Sequence, residues 1–522
     1  MLSRRGQKFN AFLGIPFAKP PIGDLRFKNP VQITESWNGT WDATKYPPKC
    51  IQPLQGKIEG SENCLYLNLY SPKFADNRTS LPVWVFIYGG KKLFGDAAPY
   101  KYGPEYIMDK PVILVTMSYR MGAFGFLSTE DYVISGNFGL KDETAALKWI
   151  QTHIHSFGGD PHNVTISGGS SGGIDVNLHL YSPLSKGLFH KAISQSGHSL
   201  NSEVVHPSGT ARALAWDLAR IVGCNTSEIR TSEELLGCLL EIPSITLARA
   251  SLKLMHDYIL PFMIFGPVIE SKYNEGAFLI NDPCKDIEIS SGIPWILGSI
   301  PDEGSQRTLT LFSKPKIIKH FERNAEKLFA EYFRFTYHPK AIEVSKKVIA
   351  KYMPHKYLND SFHEISRIYA FSNFHLGTIE TARRYKGPLY LYCYDHTNDY
   401  QYLKTYLQLL SSSTKFKIGA VHGEELISLF NNPLMYPPVL TGNDRIVSDQ
   451  IIDLWYNFVA CGDPNGNAPK IWNPVIPSKL NYLHIHNLTL TMKENYFIGE
   501  EYEFWKEIKT PTLCSRISMV HS

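Results

Sequence analysis

The segment Gly168-Gly169-Ser170-Ser171-Gly172 sets a serine between small residues in the pattern G-x-S-x-G. A serine hydroxyl is a weak nucleophile until a neighbouring base activates it. The pattern raises the hydroxyl on a sharp turn, where a larger flanking side chain would collide with the adjoining strand. It also fits one residue later, as Gly169-Ser170-Ser171-Gly172-Gly173, so Ser170 and Ser171 both qualify. The chemistry would be attack on an acyl carbon, with amide donors at the start of a following helix for the oxyanion. Such a serine needs a base, and the base needs an orienting acid. Two downstream segments offer them: Pro301-Asp302-Glu303-Gly304-Ser305 and Ala420-Val421-His422-Gly423-Glu424-Glu425-Leu426. The chain has 18 histidines and 49 carboxylates, so spacing alone does not select among them. Taken singly, Glu303 reads as a turn carboxylate and His422 as a loop histidine.

The elements around the serine give the motif its context. Residues 164–167 predict a short strand and 174–181 a helix, with the serine turn between them. Residues 81–87 form an apolar strand ended by Gly89-Gly90, and 112–118 and 189–194 predict two more. Helical spacing runs through Ala145, Leu147, Trp149, Ile150 and Ile154, over residues 141–157, and Gly158-Gly159-Asp160-Pro161 stops it. Strands are also expected at 390–394 and 482–485, an amphipathic helix at 449–461, and mostly helix with loops from about 230 to 370. Strands alternating with helices imply an α/β fold, a mostly parallel sheet with helices on both faces. The serine turn resembles that of the α/β-hydrolases, in which the nucleophile, acid and base follow in the order Ser, Asp or Glu, His. The segments above keep that order.

Composition narrows the class. Hydrophobic residues make up 43% and charged residues 20% of 522. These values suit a globular protein with a large core, and exclude a disordered chain, a collagen and a coiled coil. The 53 basic and 49 acidic side chains leave a net charge of +4, so no nucleic-acid partner is expected. No apolar run reaches the length of a membrane span, and the most apolar stretch is interrupted by Arg120. Among the eight cysteines, Cys50/Cys64 and Cys224/Cys238 have equal separations. Spacing leaves two readings, bridges or buried thiols. N-x-[ST] sequons stand at Asn38, Asn77, Asn163, Asn225, Asn359 and Asn487. Asn163 adjoins a predicted buried strand and is expected to be unused. The first ten residues are basic but lack an apolar h-region, and no retention signal ends the chain.

Longer motifs extend the pattern. They are Ala11-Phe-Leu-Gly-Ile-Pro-Phe-Ala-Lys-Pro-Pro21 with Leu25-Arg26-Phe27, and Ser61-Glu-Asn-Cys-Leu-Tyr-Leu-Asn68. Tyr119-Arg-Met-Gly-Ala-Phe-Gly-Phe-Leu-Ser128, Asn137-Phe-Gly-Leu-Lys-Asp142 and Phe157-Gly-Gly-Asp-Pro161 follow. His190-Lys-Ala-Ile-Ser-Gln-Ser-Gly197, Phe265-Gly-Pro-Val-Ile269 and Gly462-Asp-Pro-Asn465 continue them. Together they resemble the type-B carboxylesterase and cholinesterase family, most closely its insect esterases, over nearly the whole chain. The resemblance implies an α/β-hydrolase fold in one domain across 1–522. It selects Ser170 over Ser171 as nucleophile, Glu303 as acid and His422 as base. It assigns oxyanion donors to the backbone N–H groups of Gly90, Lys91 and Ser171. It pairs Cys50 with Cys64 and Cys224 with Cys238, and puts Arg26, Glu62, Arg120 and Asp160 in buried ion pairs. It also implies a secreted protein whose leader and first strand are missing, leaving the chain N-terminally incomplete, with glycans expected at Asn38, Asn77, Asn225, Asn359 and Asn487. The implied partner is a small-molecule ester, and neither cofactor nor metal is required.

The chain departs from the family pattern at the site itself. Gly169 replaces the usual Glu before the nucleophile, and Ser171 the usual Ala after it. The oxyanion loop reads Tyr88-Gly89-Gly90-Lys91-Lys92, with Lys91 in place of a small residue and Lys92 in place of an aromatic. Lys91 is expected to crowd the acyl carbonyl and lower activity. Asn63 replaces an Asp, at the cost of a local ion pair. The 13 residues between Cys50 and Cys64 hold no tryptophan, so a quaternary ammonium finds no aromatic face there and acetylcholine is not the expected substrate. Two functions remain: a serine carboxylesterase, and a catalytically impaired binding or adhesion protein on the same fold. The retained triad and the absence of an anchor favour the enzyme.

Overall fold

The computed structural model describes residues 1–513 apart from 55, 74–79, 201–203, 255–262, 286–291, 314, 333–339, 355–359, 400–417 and 434–439. The strands in chain order are β1 (Phe9–Pro16), β2 (Gln52–Leu54), β3 (Lys57–Glu59), β4 (Tyr66–Pro72), β5 (Leu81–Ile87), β6 (Ile113–Met117) and β7 (Gly159–Gly169). β8 (Lys191–Gln195), β9 (Trp295–Ser299), β10 (Leu389–Tyr394), β11 (Tyr482–His486) and β12 (Thr489–Lys493) complete them. Among the described residues, ten form one sheet in the order β1-β4-β6-β5-β7-β8-β9-β10-β11-β12, and β2 pairs with β3. The run from β6 to β11 is parallel, and β1, β4 and β12 add antiparallel edges. This is the mostly parallel sheet the alternation implied.

The central strands are buried, and β5 and β6 are mostly apolar, because helices cover both of their faces. In β5, Val83 to Ile87 are all buried, as are all five residues of β6 and of β8. Strands β1, β4, β9 and β12 were not expected. In β4 the buried Asn68 interrupts the apolar pattern, and its amide is satisfied by Gly14 N–H and the Ala97 carbonyl. β9 lies inside the stretch read as helix and loop. The helix expected at 449–461 begins earlier, at Gly442. Its first turns point Asp444 inward to His396, which hides the helical period.

Register sets the site. Ile87 pairs with Gly168, Gly169 with Gln195, and Gln195 with Gly298. The carboxyl ends of β5, β7, β8 and β9 are therefore level, and the loops leaving them share one rim. Ligands on open parallel sheets bind outside these ends.

Candidate active site

The serine turn is as sharp as its glycines suggested. β7 ends at Gly169 and the helix Ser171–Tyr181 starts two residues on. Ser170 alone joins them, with φ 58° and ψ −126°. A non-glycine residue there is strained, and its surroundings must hold it. The Ser170 N–H donates to the Gln195 carbonyl at 2.8 Å, and its carbonyl accepts from Ile174 N–H at 3.1 Å. A Cβ at Gly172 would lie 2.2 Å from the Ile87 carbonyl oxygen, so the helix can start this close to β5 only with glycine there. At Gly169 a Cβ would lie 3.0 Å from Leu426, which occupies the space beside the departure from Glu.

Three side chains meet above the rim. His422 Nδ1 lies 2.5 Å from Glu303 Oε2, and His422 Nε2 lies 2.7 Å from Ser170 Oγ. With Nδ1–H donated to the carboxylate, Nε2 is left to accept the serine proton. Ser171 is fully buried and makes no such contact. Glu303 is also buried, and its other oxygen accepts Ile300 N–H at 3.0 Å. Burial pushes Glu303 up, but the charge and hydrogen bond of His422 outweigh it and the carboxyl sits below its ordinary value. Burial pulls His422 down, and Glu303 reverses that, leaving the imidazole above its ordinary value.

Asp302, beside the acid, was not singled out from sequence. Its carboxylate accepts Gly419 N–H at 2.7 Å, and its own N–H reaches the Ala420 carbonyl at 3.2 Å. It thus clips the loop of His422 to the loop of Glu303. The adjacent D-E in one loop and the glycine ahead of the histidine in the other were the available signals. Behind the histidine, Glu425 and Glu424 are buried, and desolvation pushes their carboxyls up to about 7 and about 8.

The loop Gly89-Gly90-Lys91-Lys92 lies against the serine turn, where a Cβ at Gly89 would come within 2.4 Å of the Gly169 carbonyl oxygen. Lys91 is exposed, at φ 59°, and its positive charge slightly opposes the raised pKa of His422. Gly90 N–H donates to the Ser171 hydroxyl at 3.0 Å. Lys92 is fully buried, and its ammonium contacts the Asp175 carboxylate and donates to the Ser171 carbonyl at 3.0 Å.

The remaining sequence-derived residues divide. Arg26 pairs with Glu62, with both contacts at 2.7 Å. Arg120 pairs with Asp142, at 2.7 and 2.8 Å, because Asp142 projects from the adjacent helix Phe138–His153, and no ion pair of Asp160 is seen among the described residues. Asp160 turns locally and accepts His162 N–H. Asn63 accepts the Tyr66 hydroxyl in place of an ion pair. Cys50–Cys64 and Cys224–Cys238 are bridged, with Cα separations of 4.9 and 6.1 Å. Asn38, Asn225 and Asn487 are exposed, whereas Asn163 lies within β7 and donates to the Ala460 carbonyl. Asn77 and Asn359 lie outside the described residues. Among the described residues no single helix is long and apolar enough to cross a membrane.

The model of the carboxylesterase family matches residues 2–505. Juvenile hormone esterase from Tribolium castaneum is 36% identical, with 92% of this chain and 86% of that protein aligned. Venom carboxylesterase-6 from Apis mellifera is 30% identical over 97% and 91%. The solved structure of juvenile hormone esterase from Manduca sexta, with OTFP covalently attached, superposes with a TM-score of 0.86. It is 28% identical and covers 98% of this chain and 97% of its own.

Proposed function

This chain belongs to the carboxylesterase family, and from that premise we propose that it is a serine carboxylesterase working through an acyl-enzyme. The observation that carries the reading is one imidazole held between Ser170 Oγ and Glu303 Oε2. Ser170 Oγ bonds to the acyl carbon as its proton passes to His422 Nε2. The imidazolium then gives that proton to the departing alkoxide, and the ester C–O bond breaks. Water repeats the sequence on the acyl-serine, releasing acid and free enzyme. Glu303 orients the imidazole and stabilises its charged form. The N–H groups of Gly90, Lys91 and Ser171 are the proposed donors to the oxyanion. The substrate class is a small carboxylic ester. The two bridges and the exposed sequons support a secreted protein.

The test joins labelling to turnover. A fluorophosphonate probe is expected to attach to the peptide containing Ser170, and Ser170→Ala or His422→Ala to abolish labelling. p-Nitrophenyl esters of increasing acyl length, set beside juvenile hormone, for which two of the similar proteins are named, define the acyl range. Labelling that survives Ser170→Ala and is lost in Ser171→Ala reverses the assignment. No labelling and no turnover in the wild-type protein would overturn the esterase reading.

A further inference from the structure

The oxyanion-side loop is strained and pinned. Gly90, Lys91 and Lys92 all have positive φ, at 138°, 59° and 60°. Consecutive non-glycine residues in the left-handed region persist only where their surroundings fix them. Backbone contacts supply part of that: Leu93 and Phe94 N–H reach the Gly90 carbonyl, and Gly122 N–H reaches the Lys92 carbonyl at 2.6 Å. The rest comes from the Lys92 side chain. It passes between the Tyr119 and Phe126 rings, 5.6 Å from each centroid, to the first turn of the helix that follows Ser170. There it meets the Ser171 carbonyl and the Asp175 carboxylate. Lys92 and Asp175 are both fully buried, and the Asp175 oxygens have no hydrogen-bond partner among the described residues beyond this ion contact.

Stability does not account for the pair. The dipole of that helix opposes the Lys92 cation and favours the Asp175 carboxylate, so it gives the pair no net gain. A buried ion pair is commonly no better than apolar residues of the same volume. What the pair does supply is a fixed connection. It ties the loop bearing the Gly90 and Lys91 N–H groups to the helix bearing Ser170 and the Ser171 N–H, so all three donors move as one body.

We infer that the buried Lys92–Asp175 pair is the positioning device of the oxyanion hole, setting the aim of the loop donors without touching substrate. The inference rests on the serine-esterase reading above. It requires that removing the pair cleanly should spare substrate binding and weaken the transition state. Misaiming one donor of such a hole approaches the loss of that donor, about 10² to 10³ in kcat, so about tenfold is the least expected.

The test compares Lys92→Met with the double variant Lys92→Met/Asp175→Ala. The single variant leaves a buried carboxylate unpaired and is expected to melt well below wild type. In the double variant the flexible Met fills the space and the melting temperature is expected to return close to wild type. Its kcat should nonetheless stay at least about tenfold low, with KM within about twofold. Affinity for a trifluoromethyl ketone, whose hemiketal oxygen uses the hole, should fall by the same factor. Complete fluorophosphonate labelling should show that Ser170 is intact. If kcat and inhibitor affinity recover with the melting temperature, the pair is structural only and the inference is overturned. Should the double variant not melt cooperatively, Asp175→Asn decides instead, and an unchanged kcat overturns the inference. A wild-type protein that is neither labelled nor active removes the esterase reading itself, and this inference with it.

Discussion

At the scale of single residues, the triad's electrostatics set the pH dependence. In the proposed mechanism the base works only as neutral imidazole, so activity is expected to rise with pH through the pKa of His422. Burial opposes charging His422, but Glu303 at 2.5 Å reverses the balance and raises it. The acid limb of kcat/KM is therefore expected above about 6.5, the ordinary histidine value. Glu303→Gln removes the largest opposing charge and leaves burial opposed only by Glu425, so the limb should move down. The same change should cost about 10²-fold or more in kcat, because the imidazole loses its tautomer control. A wild-type limb at or below about 6.5, or a limb unmoved by Glu303→Gln, would contradict this account. From sequence, Glu303 and His422 could not be told from other carboxylates and histidines; only the longer motifs selected them. Asp302 escaped attention because its role is to accept a backbone N–H from another loop, which no local pattern encodes. The pairing of Arg120 with Asp142 was missed for a similar reason, since it depends on which helix packs beside the loop.

At the scale of elements, legibility followed packing. β5 and β6 were readable because strands buried on both faces are mostly apolar. β4 and β9 were not, because Asn68 in one and Gly298 in the other break the run for tertiary reasons. Gly298 sits against the Tyr392 ring, where a Cβ would come within 2.3 Å. The serine turn was readable in type and position, but its coupling to the oxyanion loop was not. Ser171 Oγ takes up the N–H of Gly90, one of the proposed donors to the oxyanion. An oxyanion must displace that hydroxyl, and a neutral hydrogen bond is worth about 0.5–1.5 kcal/mol net. Ser171→Ala is thus expected to raise kcat/KM on a short-chain ester about two- to tenfold, with Ser170 labelling retained. A fall would mean that the hydroxyl is itself a donor to the oxyanion. Lys91, by contrast, is exposed.

At the scale of the molecule, the two bridges belong to one assembly beside the sheet. Glu62 lies inside the loop closed by Cys50–Cys64, and it holds Arg26 with both oxygens. The same guanidinium donates to the carbonyls of Leu239, Leu240 and Ile242, at 3.1, 3.1 and 2.8 Å. Those carbonyls end the helix Ser232–Glu241, which carries Cys238 of the second bridge. Each bridge closes a loop of about 15 residues, for which chain entropy gives roughly 3 kcal/mol. Independent bridges would lose about twice that when both are opened by Cys→Ala pairs. The Arg26 connection makes them dependent, since opening one loosens the anchor that orders the other. Denaturant unfolding of the two single-bridge variants and the double should therefore depart from additivity by about 0.5–3 kcal/mol. Arg26→Met, placed in the background of all three, should abolish the departure, because the guanidinium is the link. Additive losses in the presence of Arg26 would show the bridges to act separately. Eight reactive thiols in the unreduced, denatured protein would remove the premise, and with it the support the bridges lend to secretion.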